Sequence, residues 1–341
     1  MDSEPAAEYV IKEVCFTGVM LFSVALRQFK AHEDLVLSQI PSFAIIVGPN
    51  NVGKSAILQA IALMKYQTQL QTSPNFPTGF LIRTGAREAK IEICPNAKST
   101  PTVFRVSGDG PNQRPISIGS SDQRGDRWQY QTVLYLGPYR TGRMRFTYAD
   151  IGEWVGVDGG EAWNTLFQMK VRDNPIFSEV AEAARSLGIG LESIRTLARG
   201  PNEGEIEANT YGNSTNVFHT GSGTQAVLPV LLQTAMTPRG WTLLLEEPEA
   251  HLHRGAIDGL VKFLGNTVTS KEIQVLATTH SLDFLVSLWN RVREGVAPKD
   301  TSVFVLDRDS NGRTSAERVV PGELSFKDFL MKVKANLAGW P

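Results

Sequence analysis

The chain has 341 residues, 42% hydrophobic and 20% charged, with a net charge of −1. That balance fits a globular protein of one to three domains with a large core. It excludes a global polycation that would dictate nucleic-acid binding, and no run approaches the ~20 apolar residues of a membrane span. The start, MDSEPAAEYV, is acidic and unlike a signal peptide. A cytoplasmic protein without a membrane partner is expected. Its two cysteines, Cys15 and Cys94, lie in apolar segments and read as buried free thiols of a reducing compartment.

Residues 1–8 read as a loose tail, and Tyr9 to Leu37 as two or three strands. Phe43 to Val47 is a short apolar run, as a buried parallel strand requires. Gly48, Pro49, Asn50, Asn51, Val52, Gly53, Lys54, Ser55 and Ala56 follow, with Gly48, Gly53, Lys54 and Ser55 fitting G-x-x-x-x-G-K-[ST]. Ile57, Leu58, Ile61 and Met64 then fall at helical spacing. Strand, glycine loop and helix is the arrangement that wraps phosphates in backbone N–H groups. In it Lys54 reaches the β- and γ-phosphates and the Ser55 hydroxyl ligates Mg²⁺, so ATP and Mg²⁺ are the expected ligands. The helix is expected to end near Tyr66, before a polar connection over 67–78.

Residues 79–136 look β-rich, at Lys90–Ile93, Thr102–Val106 and Gln131–Leu136, with the Gly/Ser/Pro/Asp/Arg-rich stretch between Ser107 and Arg127 read as a long loop. Residues 150–198 look helical, with Gly188 and Gly190 ending a helix. Residues 205–219 look like a hairpin turning at Tyr-Gly-Asn-Ser. Gly221-Ser222-Gly223-Thr224-Gln225 precedes an apolar helical run to Met236, which Pro229 should kink or shift.

Trp241 to Leu245 is a buried strand ending in Glu246-Glu247, the form of a Walker B element. The chemistry calls for one carboxylate near Mg²⁺, assigned to Glu246, and one that orients or deprotonates the attacking water, assigned to Glu247. Another core strand, Gln274–Ala277, ends at Thr278-Thr279-His280-Ser281. A histidine there could contact the γ-phosphate or position water. A strand at Thr301–Leu306, a hairpin at Asp307–Gly312 and a last helix over 323–339 complete the chain.

GPNNVGKS, GSGTQ, LLLEEPEAHLH and ATTHS, in that order, resemble the ABC-type ATPase heads of the SMC, RecF and OLD superfamily. The resemblance is greatest to stand-alone AAA family ATPases of prokaryotes, many of them in anti-phage operons. YLGPYR at 135–140 also looks like a segment those proteins carry. The resemblance implies an α/β fold: a RecA-like parallel sheet with helices on both faces, and an N-terminal mixed β-lobe. A single head over 1–322 would carry an inserted β-rich and helical subdomain at about 67–215 and be followed by a C-terminal helix over 323–341. It also implies a homodimer around two ATP molecules, in which Ser222, Gly223 and Gln225 face the γ-phosphate on the partner's loop.

No heptad run exists for a long SMC coiled coil, and the 60 residues after Ser281 (341 − 281) are too few for the nuclease domain of OLD proteins. The chain is therefore read as a switch for a separate effector, such as a nuclease, in anti-phage defence. The alternatives are a RecF/SMC-like ATPase that clamps DNA and a non-hydrolysing assembly scaffold. Arg124, Arg127, Arg140, Arg143 and Arg145, interleaved with Trp128, Tyr130, Tyr135, Tyr139, Phe146 and Tyr148, offer a candidate DNA surface. The plainer reading packs this stretch on the ATP lobe, with Arg140 near the nucleotide or buried with a carboxylate. Gln131 is a weak candidate for the Q-loop glutamine. Glu249, His251 and His253 match no metal motif.

Overall fold

The computed structural model describes residues 20–72, 81–99, 101–107, 117–120 and 132–335. The tail, Cys15, Arg124, Arg127, Trp128, Tyr130 and Gln131 lie outside them.

Strands β1 (Ser23–Phe29), β2 (His32–Leu37) and β3 (Phe43–Val47) lead into helix α1 (Lys54–Thr72), which passes Tyr66 with a local break in its helical angles. β4 (Glu88–Cys94), β5 (Thr102–Ser107), β6 (Ser117–Ser120), β7 (Val133–Leu136) and the two-residue β8 (Phe146–Thr147) follow. Helices α2 (Ala162–Val171) and α3 (Pro175–Ser186) precede β9 (Leu191–Ala198), β10 (Glu203–Thr210) and β11 (Asn213–Asn216). The last part holds α4 (Ser222–Met236), β12 (Thr242–Glu246), α5 (Arg254–Lys271), β13 (Gln274–Thr278) and α6 (Leu282–Arg293). β14 (Ser302–Arg308), β15 (Thr314–Val319) and α7 (Phe326–Ala335) end the described chain.

The central sheet has the order β15-β14-β3-β13-β12-β7, parallel except for the β14–β15 hairpin. Its strands β3, β7, β12 and β13 are buried along their whole length because both faces are covered. Phe43, Ile45 and Val47 point into one core with Leu243, Leu245, Val275 and Ala277, under the helices from α2 to α7. Ala44 and Ile46 point into a second core with Leu244, Leu276 and the apolar side of α1. Behind α1 stands the antiparallel sheet β2-β1-β4-β5-β6, the N-terminal β-lobe. A third sheet, β11-β10-β8 with β9 on β10, packs against α2 and α3. The interval 67–215 therefore feeds all three sheets: β4–β6 join the lobe, β7 the central sheet, and β8–β11 the third.

Four local expectations need correction. Within the stretch expected to be helical, residues 150–161 are irregular and residues 191–198 are strand. Gly188 and Gly190 take left-handed φ of 69° and 76° and turn the chain out of α3 into pairing with β10. The stretch read as a loop from 107 to 127 contains β6, which pairs with β5. Pro229 does not interrupt α4, which runs on from Ser222 to Met236 with eleven of its fifteen residues buried. Packing outweighs the lost helix bond, and the nearby Ala226 carbonyl takes a bond from Arg140 Nε at 3.0 Å. Cys94 is half-buried rather than buried, because the apolar side of β4 is carried by its alternate residues.

Candidate functional site

The site forms where β3, β13 and β12, adjacent parallel strands, end together. Loop 48–53 leaves β3 and enters α1. A side chain at Gly48 would come within 2.7 Å of the Leu306 carbonyl, and one at Gly53, at φ 105°, within 2.6 Å of the His32 ring. Glycine is thus required at both positions by close approach. Asn50 and Asn51 are exposed, Pro49 half-buried, and Val52 and Ala56 buried in the second core. Lys54 Nζ folds over the loop and donates to the carbonyls of Gly48 (2.9 Å) and Pro49 (3.0 Å). Burial lowers its pKa, opposed by the charge of Glu247.

Glu246 ends β12 and is buried. Its Oε1 accepts from Tyr135 Oη (2.5 Å) and Gln59 Nε2 (3.1 Å), and Ser55 lies near enough to the carboxyl to oppose the effect of burial on its pKa. Burial raises that pKa, and the hydrogen bonds from Tyr135 and Gln59 oppose the shift too. Gln59 in turn accepts from Lys30 Nζ at 2.6 Å. Burial brings the Lys30 pKa to about 8, with Glu246 pulling the other way. A hydroxyl beside a carboxylate is the all-oxygen donor set that suits Mg²⁺, so Ser55 and Glu246 fit the expected ion.

Glu247 follows in a left-handed turn, φ 45°. Its N–H donates to the Thr278 carbonyl (3.0 Å), and its carboxylate Oε1 lies 3.2 Å from His280 Nδ1. Both side chains reach solvent.

Arg140 is the largest element that sequence reasoning left open. It is buried, at 4% exposure. Its guanidinium donates to the carbonyls of Gly137, Glu246 (2.9 Å), Glu247 (2.7 Å) and Ala226 (3.0 Å). It thereby ties the end of β7, the Glu246–Glu247 turn and helix α4. Burial brings its pKa to about 10, against the charges of Glu249, Glu247 and Glu246, so it stays protonated at neutral pH.

In the described remainder of the arginine-aromatic stretch, Arg143 and Arg145 are exposed, while three of the four aromatic side chains turn inward. Tyr135 and Phe146 are buried, Tyr148 stacks on Phe167 at 4.8 Å, and Arg145 is held by Glu203 and Glu205. Tyr139 is exposed.

Ser222 and Gly223 open helix α4. Ser222 is exposed, and Gly223 packs so closely on the His251 carbonyl that a side chain would come within 2.8 Å. Gln225 points inward. Its Oε1 accepts from the Gly142 N–H (2.8 Å), and its Nε2 donates to the carbonyls of Phe218 (3.0 Å) and Thr220 (2.9 Å). Its amide is therefore committed to shaping the turn before α4. His253 caps α5 through the Ala256 N–H, and Glu249 turns inward to Thr279.

His32 was missed altogether. It is fully buried, and its Nε2 hydrogen-bonds the Gly53 carbonyl at 3.0 Å. Burial lowers its pKa to about 4, so the ring is neutral and Nε2 carries the proton that Gly53 accepts. Lys30 and Gln59 were missed too, since nothing in local spacing marks them.

A family model described as "AAA domain, putative AbiEii toxin, Type IV TA system" matches residues 167–287. No curated protein sequence matches the chain. Among solved structures, an SMC head bound to the C-winged-helix domain of ScpA aligns with TM-score 0.58 and 17% identity, covering 88% of this chain and 98% of that one. An SMC head with an extended coiled coil, bound to the C-terminal domain of ScpA from Pyrococcus furiosus, gives 0.57 and 15%, covering 92% and 99%. An SMC head with coiled coil and joint from Pyrococcus yayanosii gives 0.58 and 11%, covering 92% and 99%. By architecture this chain has the fold of an SMC head domain.

Proposed function

We propose that the chain is an ATP-binding and ATP-hydrolysing switch. The observation that carries the reading is the convergence of Lys54, Ser55, Glu246, Glu247 and His280 at adjacent strand ends, with Glu247 and His280 already 3.2 Å apart. The loop N–H groups and Lys54 bind the phosphates, Lys54 exchanging its two carbonyl partners for phosphate oxygens. Bound Mg²⁺ would supply charge neutralisation at the phosphates, held by Ser55 and Glu246. Glu247 orients the attacking water and accepts its proton, and His280 holds that carboxylate in place.

The start of α4, with exposed Ser222 and half-buried Gly223, serves a second copy of the chain. It offers a helix N-terminus to the γ-phosphate bound on the partner's loop. Gln225 shapes that turn. Dimer closure then passes to a separate effector, such as a nuclease, in a prokaryotic defence system. This last step draws on the resemblance and on the toxin–antitoxin description of the matching family model.

The test is the solution mass of the protein and whatever co-purifies with it, for wild type and Glu247→Gln, with and without ATP and Mg²⁺. The expected result is a Glu247→Gln dimer or larger even-numbered assembly that persists only with ATP, while wild type turns over and reopens. Monomers under every condition sink the sandwich. Salt-sensitive, ATP-dependent DNA binding by the isolated protein would transfer the reading to a DNA clamp.

A further inference from the structure

We infer that Glu249 and Thr279 form a brace that sets the geometry of the Glu247–His280 pair, which makes Glu249 a positioning residue for hydrolysis. The inference deepens the proposed function and rests on it for the hydrolytic step.

The two functional side chains stand on different strand ends. The parallel register places Glu246 beside Thr278, and the last backbone link between the two ends is Glu247 N–H to the Thr278 carbonyl. Beyond it both chains leave the sheet. Glu247 turns away in the left-handed region, and His280 is exposed before α6. A 3.2 Å contact between two solvent-reaching side chains on diverging segments needs a further constraint.

Thr279 supplies it. It is fully buried. Its N–H donates to the Ile46 carbonyl of the loop strand β3 at 3.1 Å. Its hydroxyl donates to Glu249 Oε1 and accepts from the Ser281 N–H at 2.9 Å. Ser281 in turn caps α6 through the Phe284 N–H. Thr279 thus joins the loop-bearing strand through its backbone N–H, and the turn that bears Glu247 and the start of the helix after His280 through its hydroxyl.

Glu249 is buried at 5% exposure, and its Oε2 meets no hydrogen-bond partner outside its own residue among the described residues. A buried carboxyl with one oxygen unmatched is costly. Surface charge or solubility does not explain it, whereas a fixed acceptor for the Thr279 hydroxyl does. Burial also raises its pKa, which lessens the charge that must be buried.

Glu249→Leu keeps most of the volume and removes the acceptor. Glu249→Gln keeps a carbonyl oxygen for Thr279. Thr279→Val and Thr279→Ser make the reciprocal pair. The readouts are nucleotide affinity, the single-turnover hydrolysis rate, and the ring nitrogen resonances of His280, assigned against His280→Asn. A loosened pair is expected to cost about 100-fold in rate, as an ångström-scale misplacement does. Nucleotide affinity should stay within about threefold, the mark of an interaction that matters after binding. Glu249→Gln and Thr279→Ser should hold rate and resonances near wild type. The double variant Glu249→Leu/Thr279→Val should be no slower than the slower single, since both break one link.

Equal rates and unchanged His280 resonances in wild type and Glu249→Leu overturn the brace. So does a Glu249→Gln as slow as Glu249→Leu. Should Glu249→Leu fail to fold, Thr279→Val against Thr279→Ser carries the same comparison. A wild type that binds but never hydrolyses ATP refutes the hydrolytic reading instead, and the His280 resonances then judge the brace by themselves.

Discussion

Replacing Arg140 by Met should destabilise the protein by about 3 kcal/mol, and the figure follows from its contacts. Four hydrogen bonds from a charged donor to backbone carbonyls are lost. At the low end for charged donors, about 1.5 kcal/mol each, their sum is roughly 6 kcal/mol. Removing the buried cation also removes its desolvation cost, and the apolar replacement packs, which offsets about half of that sum. Urea unfolding at pH 7, followed by both far-UV circular dichroism and tryptophan fluorescence, measures the difference where the two probes coincide. The melting temperature should fall by roughly 6 °C, at about 2 °C per kcal/mol for a chain of this size. Arg140→Lys should recover less than half, because an ammonium point charge cannot span the carbonyls that the planar fork reaches. If Arg140 instead served an outer nucleic-acid surface, stability would hold and only binding would change. A loss below about 1 kcal/mol would falsify the clamp.

Three further outcomes test other parts of the site. Gly53→Ala forces a methyl to within 2.6 Å of the His32 ring at a φ that disfavours it. Equilibrium dialysis with ATP should show loss of binding, and unaltered affinity would refute the close-packing argument. His32 has a folded pKa of about 4, below its unfolded 6.5, so the unfolded state binds the extra proton in that window and stability falls as pH drops through it. At pH 5 the loss relative to pH 7 should be about 2 kcal/mol by linkage, and His32→Gln should remove that part of the slope in urea titrations at the two pH values. Tyr135→Phe frees Glu246 from its 2.5 Å hydroxyl. Titration of Mg²⁺ against bound nucleotide should need about tenfold more ion, the usual scale for losing the group that orients a ligand.

What could be read beforehand follows from how function writes itself into sequence. The turn after β3 demands glycine at two tight positions, so Gly48 and Gly53 were legible as turn residues, while Lys54 and Ser55 stand out by their fixed offsets from them. The strands flanking it were legible because burial on both faces makes them continuously apolar, as in Phe43–Val47 and Leu243–Leu245. The helical reading of 150–198 ran on into β9, where only the pairing with β10 decides.

Arg140 lay within reach as a residue but not as a role, because its partners are four backbone carbonyls, and a carbonyl has no letter in the sequence. His32 is hidden for the same reason, its partner being the Gly53 carbonyl. Gln225 shows the converse. Its position in a glycine-rich turn points outward to a ligand, yet the fold spends its amide on Gly142, Phe218 and Thr220. Groups that touch a ligand repeat as motifs because the ligand fixes their spacing. Groups that hold the backbone in place around them are fixed only by the fold, so whatever couples the proposed binding and hydrolysis is to be sought among the buried side chains that grip carbonyls and neighbouring turns.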